Sequence, residues 1–144
     1  MNKKNLTIHL DHIGIATSNL EEGSIFWRLL GLHEAEEDEL NEEQGVSIRF
    51  FSTSPEEEGH SPRIELLEPT SLDTPIGKFL ARKGPGVQQI CFRVSDLKSM
   101  LEYLKDNGVK LIDEEPRLGA GNTQIAFVHP HSTGGVLVEL SQHS

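Results

Sequence analysis

Four side chains that can bind a divalent metal lie inside segments that otherwise carry apolar strand patterns. They are one imidazole, one amide and two carboxylates: His12, Gln89, Glu65 and Glu139. A carboxylate in a buried strand must be paired, hydrogen-bonded or bound to a cation, because an isolated buried charge is costly. The four groups together form a mixed nitrogen and oxygen donor set. The sequence therefore predicts a site for Zn, Co, Ni or Mn with open coordination positions.

An internal repeat places these residues at matched positions. Residues 11–32 align without a gap on residues 88–109 at a constant offset of 77, so that His12 falls on Gln89. The two glutamates hold the same place in the last predicted strand of each copy. Taken singly, each residue could instead face solvent, because alternation in a short strand does not fix which face is inside. The matched positions favour the metal site, since four liganding residues at matched positions rarely coincide by chance.

The repeat predicts an α+β fold of two tandem β-α-β-β-β modules. The modules cover residues 7–69 and 86–142, and the linker 70–85 carries a short helix around Ile76 to Arg82. Together they form a single domain spanning residues 1–144. Curved mixed sheets of this kind can enclose a pocket, where we expect the metal.

Local patterns predict the elements of each module. Ser18 is expected to cap the first helix, with Glu21 closing a capping box, and Gly31 to end it. The apolar residues at helical spacing in this helix are expected to lie in the core: Ile25, Phe26, Leu29 and Leu30. The predicted strands cover 7–17, 33–38, 45–53 and 62–68 in the first module and 87–94, 109–113, 123–129 and 135–141 in the second, whose helix runs from Ser95 to about Asn107. A charged hairpin loop is predicted at 54–61.

Charge and cysteine content limit the partners and the compartment. The net charge of -10 argues against nucleic-acid binding, because phosphate contacts need a basic surface. No apolar stretch approaches a membrane span, and no charged leader with an apolar run opens the chain. The single cysteine, Cys91, is expected to be an inert core thiol. These features predict a cytoplasmic protein without a membrane partner.

The chain resembles the vicinal oxygen chelate (glyoxalase/bleomycin resistance) superfamily, and within it the methylmalonyl-CoA epimerase family over nearly its full length. The matching runs are residues 11–16 (DHIGIA), 41–46 (NEEQGV), 64–69 (IELLEP), 111–117 (LIDEEPR), and 129–130 with 132–136 (HP and STGGV). The resemblance implies a glyoxalase-like fold and an acyl-CoA substrate. It also implies one divalent metal bound by His12, Glu65, Gln89 and Glu139.

The implied reaction interconverts (R)- and (S)-methylmalonyl-CoA by removal and return of a proton through a metal-stabilised enolate. Inversion needs acid and base groups on opposite faces of the reacting carbon. The resemblance makes Glu43 the first of them and Glu139 the second, if the bond of Glu139 to the metal is labile. Composition alone would make Glu42 and Glu43 a charged turn, and Glu42 stays open as the alternative base.

Two other functions stay open. A glyoxalase-I-like lyase acting on a thiol-hemithioacetal would normally have a donor set of one histidine, one glutamine and two glutamates. A non-catalytic protein on the same fold would only bind a small ligand. We also expect a homodimer, because apolar surfaces of two-module chains often pair.

Overall fold

The computed structural model describes residues 7–53 and 62–143, which divide into two compact units. The first unit is His12–Gln88, and the second combines the described residues of Met1–Asp11 with Gln89–Ser144. The loop predicted at 54–61 lies outside the described residues. No helix in the described part of the chain is long and apolar enough to cross a membrane.

The described residues form nine strands and three α-helices. In chain order they are β1 (Ile8–Ala16), α1 (Leu20–Leu30), β2 (His33–Glu34), β3 (Glu39–Asn41), β4 (Val46–Ser52), β5 (Arg63–Pro69), α2 (Pro75–Lys83), β6 (Gly86–Val94), α3 (Leu97–Asp106), β7 (Arg117–Leu118), β8 (Gln124–Val128) and β9 (Val138–Gln142). The predicted α+β class with a repeated strand and helix order is confirmed. The helix expected in the linker is α2.

Strand pairing follows the same plan in both units. In the first unit β1 runs parallel to β5, and β4 is antiparallel to β5, β2 and β3. In the second unit β6 runs parallel to β9, and β8 is antiparallel to β9 and β7. The registers also match, because Gly14 pairs with Glu65 and Cys91 pairs with Glu139. Gly14 and Cys91 are separated by the repeat offset, so the repeat seen in the sequence is a structural one.

The helices that follow β1 and β6 are anchored in equivalent ways. The N–H of Leu20 donates to Glu68 Oε1 at 3.0 Å, and the N–H of Leu97 donates to Gln142 Oε1 at 2.7 Å. Both acceptors lie in the last strand of their module, three residues after the candidate glutamate. Each bond satisfies a donor that a helix start leaves without an intrahelical partner. The anchors therefore fix each helix to the strand that carries a candidate ligand.

The predicted capping box at Ser18 and Glu21 is wrong by one residue. Asn19 is the N-cap of α1, and its side chain accepts a hydrogen bond from the N–H of Glu22 at 2.9 Å. The Thr17 hydroxyl accepts from the N–H of Asn19 and donates to its carbonyl, which supports its extended backbone. The end of the helix at Gly31 is confirmed, with φ of 102° in the left-handed region.

The expected burial of four apolar residues of α1 is also wrong. Ile25, Phe26, Leu29 and Leu30 are 54%, 61%, 82% and 60% exposed, and we call them the α1 apolar face. The helix instead buries Leu20 and Ser24. Helical spacing identifies an apolar stripe, but it does not say whether the sheet of the same unit or another molecule covers that stripe. This helix has apolar residues on two sides, and the sheet covers only one of them.

In each unit the helix covers one face of the sheet and the candidate ligands occupy the other. Leu20 of α1 packs with Phe51 and Leu66, whose side chains alternate with those of the opposite face. That opposite face carries Phe50 and Glu65, followed by a second apolar cluster that includes Ile76 and Phe79 of α2. In the second unit α3 packs on the face formed by Ala126, Val128 and Leu140. Alternation then places Gln89, Phe127 and Glu139 on the face away from α3.

The second module differs from its prediction in three places. The strand expected at 109–113 is absent from the described chain, which has a single bridge from Leu111 to Val128 there. Next to this bridge, a side chain and not a backbone carbonyl accepts the hydrogen bond from strand β8, because Asp113 Oδ2 accepts from the N–H of Phe127 at 2.9 Å. The two-residue strand β7 was not predicted. The last strand begins at Val138 and not near 135, since Gly134 and Gly135 have φ of 79° and 103°.

One predicted strand in the first module also differs from the structure. The single strand expected at 33–38 is replaced by β2 and β3, which both pair with β4. Between them, the exposed Ala35 is followed by three acidic residues, from Glu36 to Asp38, which provide no apolar side chain that could be buried in a continuous strand.

Candidate functional site

The first unit holds a buried pair formed by an imidazole and a carboxylate. His12 on β1 and Glu65 on β5 are 7% and 5% exposed, and His12 Nδ1 lies 3.2 Å from Glu65 Oε2. The two strands are parallel neighbours, and alternation directs both side chains to the face away from α1. The structure therefore brings together two of the residues that the sequence proposes as ligands.

The second unit holds the equivalent pair. Gln89 on β6 donates from Nε2 to Glu139 Oε1 on β9 at 2.9 Å, and both residues are 8% exposed. Because the amide nitrogen faces the carboxylate, the amide oxygen is the Gln89 atom suited to a cation. These two predicted ligands also lie in contact, at the strand positions that the repeat predicts.

The spacing of the first pair and the donor types of both pairs suit the ligands of a divalent metal. Nitrogen and oxygen ligands at the usual ~2.1 Å from an ion, set at a right angle, lie about 3.0 Å apart. The 3.2 Å contact between His12 Nδ1 and Glu65 Oε2 agrees with this separation, whereas the 2.9 Å contact in the second unit joins the Gln89 amide nitrogen, which is not a ligand atom, to Glu139. Imidazole, amide and carboxylate groups are also the donor types that Zn, Co, Ni and Mn accept. Within each unit, the residues present fit a metal.

Arg63 is a site residue that the sequence prediction missed. Its Nη2 lies 2.9 Å from Glu65 Oε2, and its guanidinium stacks over the Phe50 ring at 5.2 Å from the centroid. The available signal was spacing, because residues two apart in a strand share a face. Arg63 therefore had to lie on the same side of β5 as Glu65.

The second unit has a related pair of arginine and phenylalanine. Arg117 stacks over the Phe127 ring at 5.5 Å, and its Nε lies 3.3 Å from Asp113 Oδ1. Phe127 is the cross-strand partner of Glu139, as Phe50 is of Glu65. Phe50 and Phe127 are separated by the repeat offset, so extending the repeat beyond the first helix would have found them.

The candidate base lies in a turn and not in the buried pairs. Glu42 and Glu43 are exposed in the turn between β3 and β4. Within residues 7–53 and 62–143, their carboxylates make no hydrogen bond or ion pair, so the structure does not bring Glu43 into contact with His12 or Glu65. The turn itself is well defined. Asn41 Oδ1 accepts from the N–H of Gln44 at 3.1 Å.

Gly45 closes this turn with a backbone that favours glycine. Its φ is 67°, and its N–H donates to the Glu42 carbonyl at 3.2 Å. A Cβ at this position would contact the Thr74 side chain. The Glu-Gln-Gly run is therefore explained locally by turn geometry, which leaves the glutamate side chains available for another role.

Proteins similar to this chain include proteins named as methylmalonyl-CoA epimerases. A protein named YqjC from Bacillus subtilis, described as uncharacterized, is 40% identical over 92% of this chain and 91% of its own length. The human mitochondrial methylmalonyl-CoA epimerase is 35% identical over 92% of this chain and 73% of its own length.

A solved structure is similar to this chain in both sequence and fold. It is a methylmalonyl-CoA epimerase in complex with methylmalonyl-CoA and NH4+, with a TM-score of 0.84 and 36% identity over 94% of each chain. The family model described as the Glyoxalase/Bleomycin resistance protein/Dioxygenase superfamily matches residues 11–127. The chain therefore belongs to the glyoxalase/bleomycin resistance protein/dioxygenase superfamily, the vicinal oxygen chelate fold, and is similar within it to methylmalonyl-CoA epimerases.

Proposed function

We propose that this chain is a metal-dependent epimerase that interconverts (R)- and (S)-methylmalonyl-CoA. The observation that carries the proposal is the presence of two buried donor pairs at equivalent strand positions, His12 with Glu65 and Gln89 with Glu139. The similarity to methylmalonyl-CoA epimerases supports the substrate class, an acyl-CoA. We propose that the four residues bind one divalent ion, either Zn, Co, Ni or Mn.

Strands are suitable supports for such a ligand set. All four side chains project from β1, β5, β6 and β9, whose backbones are held by ladders of hydrogen bonds. Ligands on regular elements are held more precisely than ligands on loops. When bound, a divalent cation supplies Lewis-acid stabilisation of the negative charge that develops on the substrate oxygens.

Two carboxylates of the chain are proposed to move the proton. Glu43 removes or returns it on one face of the reacting carbon, and its carboxylate can turn toward substrate because no protein group described here holds it. Glu139 acts on the other face. The Gln89 amide donates to Glu139 Oε1, and we propose that Oε2 carries the transferred proton. Groups on opposite faces are what inversion of configuration requires.

The proposal is tested by proton exchange at the substrate. Metal-loaded protein is incubated with one enantiomer of methylmalonyl-CoA in deuterated water, and α-deuterium incorporation is followed together with loss of optical purity. Exchange with racemisation is the expected result. Absence of exchange in protein with confirmed bound metal would contradict the epimerase proposal.

A pair of matched variants tests the base. Glu43→Gln should lower the exchange rate about 100- to 10,000-fold, the usual contribution of a positioned acid or base. Glu42→Gln changes the neighbouring carboxylate of the same turn and should retain most activity. The reverse pattern would transfer the role to Glu42.

A glyoxalase-I-like lyase is the second candidate, and Gln89 favours it. An amide joins one imidazole and two carboxylates among the buried donors, the set expected for such a lyase. The activity of Glu43→Gln separates the candidates, since the epimerase should depend on Glu43. A protein that is purified without metal and binds none would support the third possibility, non-catalytic ligand binding.

We also propose a homodimer in a reducing compartment, the cytoplasm. Cys91 is the single cysteine of the chain and is buried, so it forms no internal disulfide. The exposed α1 apolar face supports self-association.

A further inference from the structure

We infer that Arg63 is a positioning residue, which holds Glu65 in the orientation that the metal requires. The inference deepens the proposed function and depends on it. Arg63 lies outside the four proposed ligands and outside the proposed proton-transfer groups. Its guanidinium nevertheless lies in direct contact with one of those ligands.

The contact is a charge-assisted hydrogen bond to a buried carboxylate. Arg63 Nη2 lies 2.9 Å from Glu65 Oε2, and the same oxygen lies 3.2 Å from His12 Nδ1. A carboxylate turns about its terminal carbon–carbon bond, so two contacts to one oxygen fix the direction of both oxygens. Hydrogen bonds between an ionised donor and an ionised acceptor are about twice as strong as neutral ones. Arg63 is thus suited to hold Glu65 against rotation.

The guanidinium is itself held in place. It stacks over Phe50 at 5.2 Å from the ring centroid, and Phe50 is the cross-strand partner of Glu65. Arg63 and Glu65 are two residues apart on β5, so the strand alone places them on one face. A planar guanidinium can stack and donate sideways at the same time, which the ammonium of a lysine cannot reproduce.

The second unit supplies an internal comparison. Arg117 stacks over Phe127, the equivalent of Phe50, but its Nε faces Asp113 at 3.3 Å. Glu139 accepts from the neutral amide of Gln89 instead. Both units therefore have an arginine stacked on the equivalent phenylalanine. Among the contacts described, only the arginine of the first unit, Arg63, touches a proposed ligand.

Positioning and simple electrostatics predict opposite results when Arg63 is removed. A positive guanidinium repels a nearby divalent cation, so its loss alone would strengthen metal binding. If Arg63 positions Glu65, its loss weakens binding, because partners of ligating groups typically contribute 10- to 100-fold to affinity. The sign of the change therefore identifies the role.

The experiment measures Zn²⁺ and Co²⁺ affinity of the purified metal-free full-length protein by competition with a chromophoric chelator. Arg63→Gln should bind both ions about 10- to 100-fold more weakly. Arg63→Lys should recover part of the loss, and Arg117→Gln, which removes the equivalent stacked arginine, should bind like the wild type. Thermal unfolding of each metal-free variant separates loss of affinity from loss of fold.

The outcomes are distinguishable from failure of the proposed function. A wild-type protein that binds neither ion would overturn the proposed metal site and the inference with it. Normal binding by the wild type with equal or tighter binding by Arg63→Gln would overturn the inference alone. If Arg63→Gln does not fold, Phe50→Leu removes the stacking ring and keeps the arginine. Weaker ion binding by Phe50→Leu than by the equivalent Phe127→Leu supports the inference, and equal binding by the two opposes it.

Discussion

Gln89 is the proposed ligand whose side chain differs in type from its counterpart in the other unit. At its repeat position in the first unit stands His12, whose imidazole binds borderline metals more strongly than an amide oxygen. We predict that Gln89→His raises the affinity for Zn²⁺ about tenfold, the lower end of what a change in a metal site produces. The measurement is a competition titration against a chelator of known affinity.

The neighbouring glutamine provides the control for this substitution. Gln88→His introduces the same side chain one position earlier on β6, where alternation directs it to the opposite face. Zn²⁺ affinity should then remain at the wild-type value. An equal rise in Zn²⁺ affinity in both variants would indicate that an added histidine binds Zn²⁺ outside the proposed site. A lower Zn²⁺ affinity in Gln89→His would show that the hydrogen bond from the Gln89 amide to Glu139 matters more than the type of ligand atom.

Residue patterns in the sequence predicted much of the candidate site, but only where the repeat applied. The structure brings the four residues into contact as two pairs, His12 with Glu65 and Gln89 with Glu139. This follows because β5 pairs with β1 in the same register as β9 pairs with β6. Arg63 was missed because the second unit has no arginine at the matching place. A pattern argument based on symmetry cannot find a contact that breaks the symmetry.

The sequence prediction placed the N-cap of α1 one residue too early, at Ser18 and not at Asn19. Asn19 caps α1, and Asp96 caps α3 at the equivalent repeat position by accepting from the N–H of Ser99 at 3.1 Å. We predict that Asn19→Ala lowers the free energy of unfolding by about 1 kcal/mol, the usual loss at an N-cap. Ser18→Ala should be close to neutral, because the structure assigns no cap to Ser18. Chemical denaturation of both variants measures the difference.

The failure has a physical cause that applies to elements in general. Ser, Asn and Asp are all good caps, so a run such as Ser18-Asn19 fixes the helix start only to within a residue. The choice depends on backbone angles, which the Thr17 hydroxyl influences through two hydrogen bonds to Asn19. The reverse result, a larger loss in Ser18→Ala, would restore the cap predicted from the sequence.

Ion pairs link α1 to strand β4 and should make stability depend on acid pH. Hydrogen bonds from Arg28, and then from Arg49, lower the pKa of Glu21 from its ordinary value of 4.5 to about 2. Because the pKa is lower in the folded state, ionised Glu21 stabilises the fold above pH of about 4.5, and this stabilisation is lost as the pH falls toward 2. The effect is reduced by solvent screening, since the Glu21 side chain is exposed.

We predict that Glu21→Gln lowers the melting temperature at neutral pH and that the difference from the wild type disappears toward pH 2. Calorimetric scans at a series of pH values measure it, and added salt should shrink the difference. Glu22→Gln removes a charge from the same helical turn without these ion pairs, and so separates them from the helix dipole. A difference that stays constant over the acid range would contradict the assignment.

For the molecule as a whole, the two repeated helices differ in how much apolar surface they expose. The α1 apolar face corresponds, at the repeat offset, to Glu102, Tyr103, Asp106 and Asn107 of α3. Of these α3 residues Tyr103 packs against the core and the other three are polar and exposed, so the fold does not need four apolar residues on this side of the helix. An apolar face that the fold does not require indicates a partner. A second copy of the chain is the simplest one, because a two-fold axis brings the same helix face onto itself.

We predict that the wild-type protein is a dimer and that Leu29→Glu converts it to a monomer. A charge placed in the centre of a desolvated interface opposite its own symmetry mate is strongly unfavourable. Leu72→Glu is the matched control, because Leu72 and Leu29 are both 82% exposed but Leu72 lies outside α1. Light scattering coupled to size-exclusion chromatography should give a dimer mass for the wild type and Leu72→Glu, and a monomer mass for Leu29→Glu. A monomeric wild type, or a dimer that survives Leu29→Glu, would leave the α1 apolar face for a different partner.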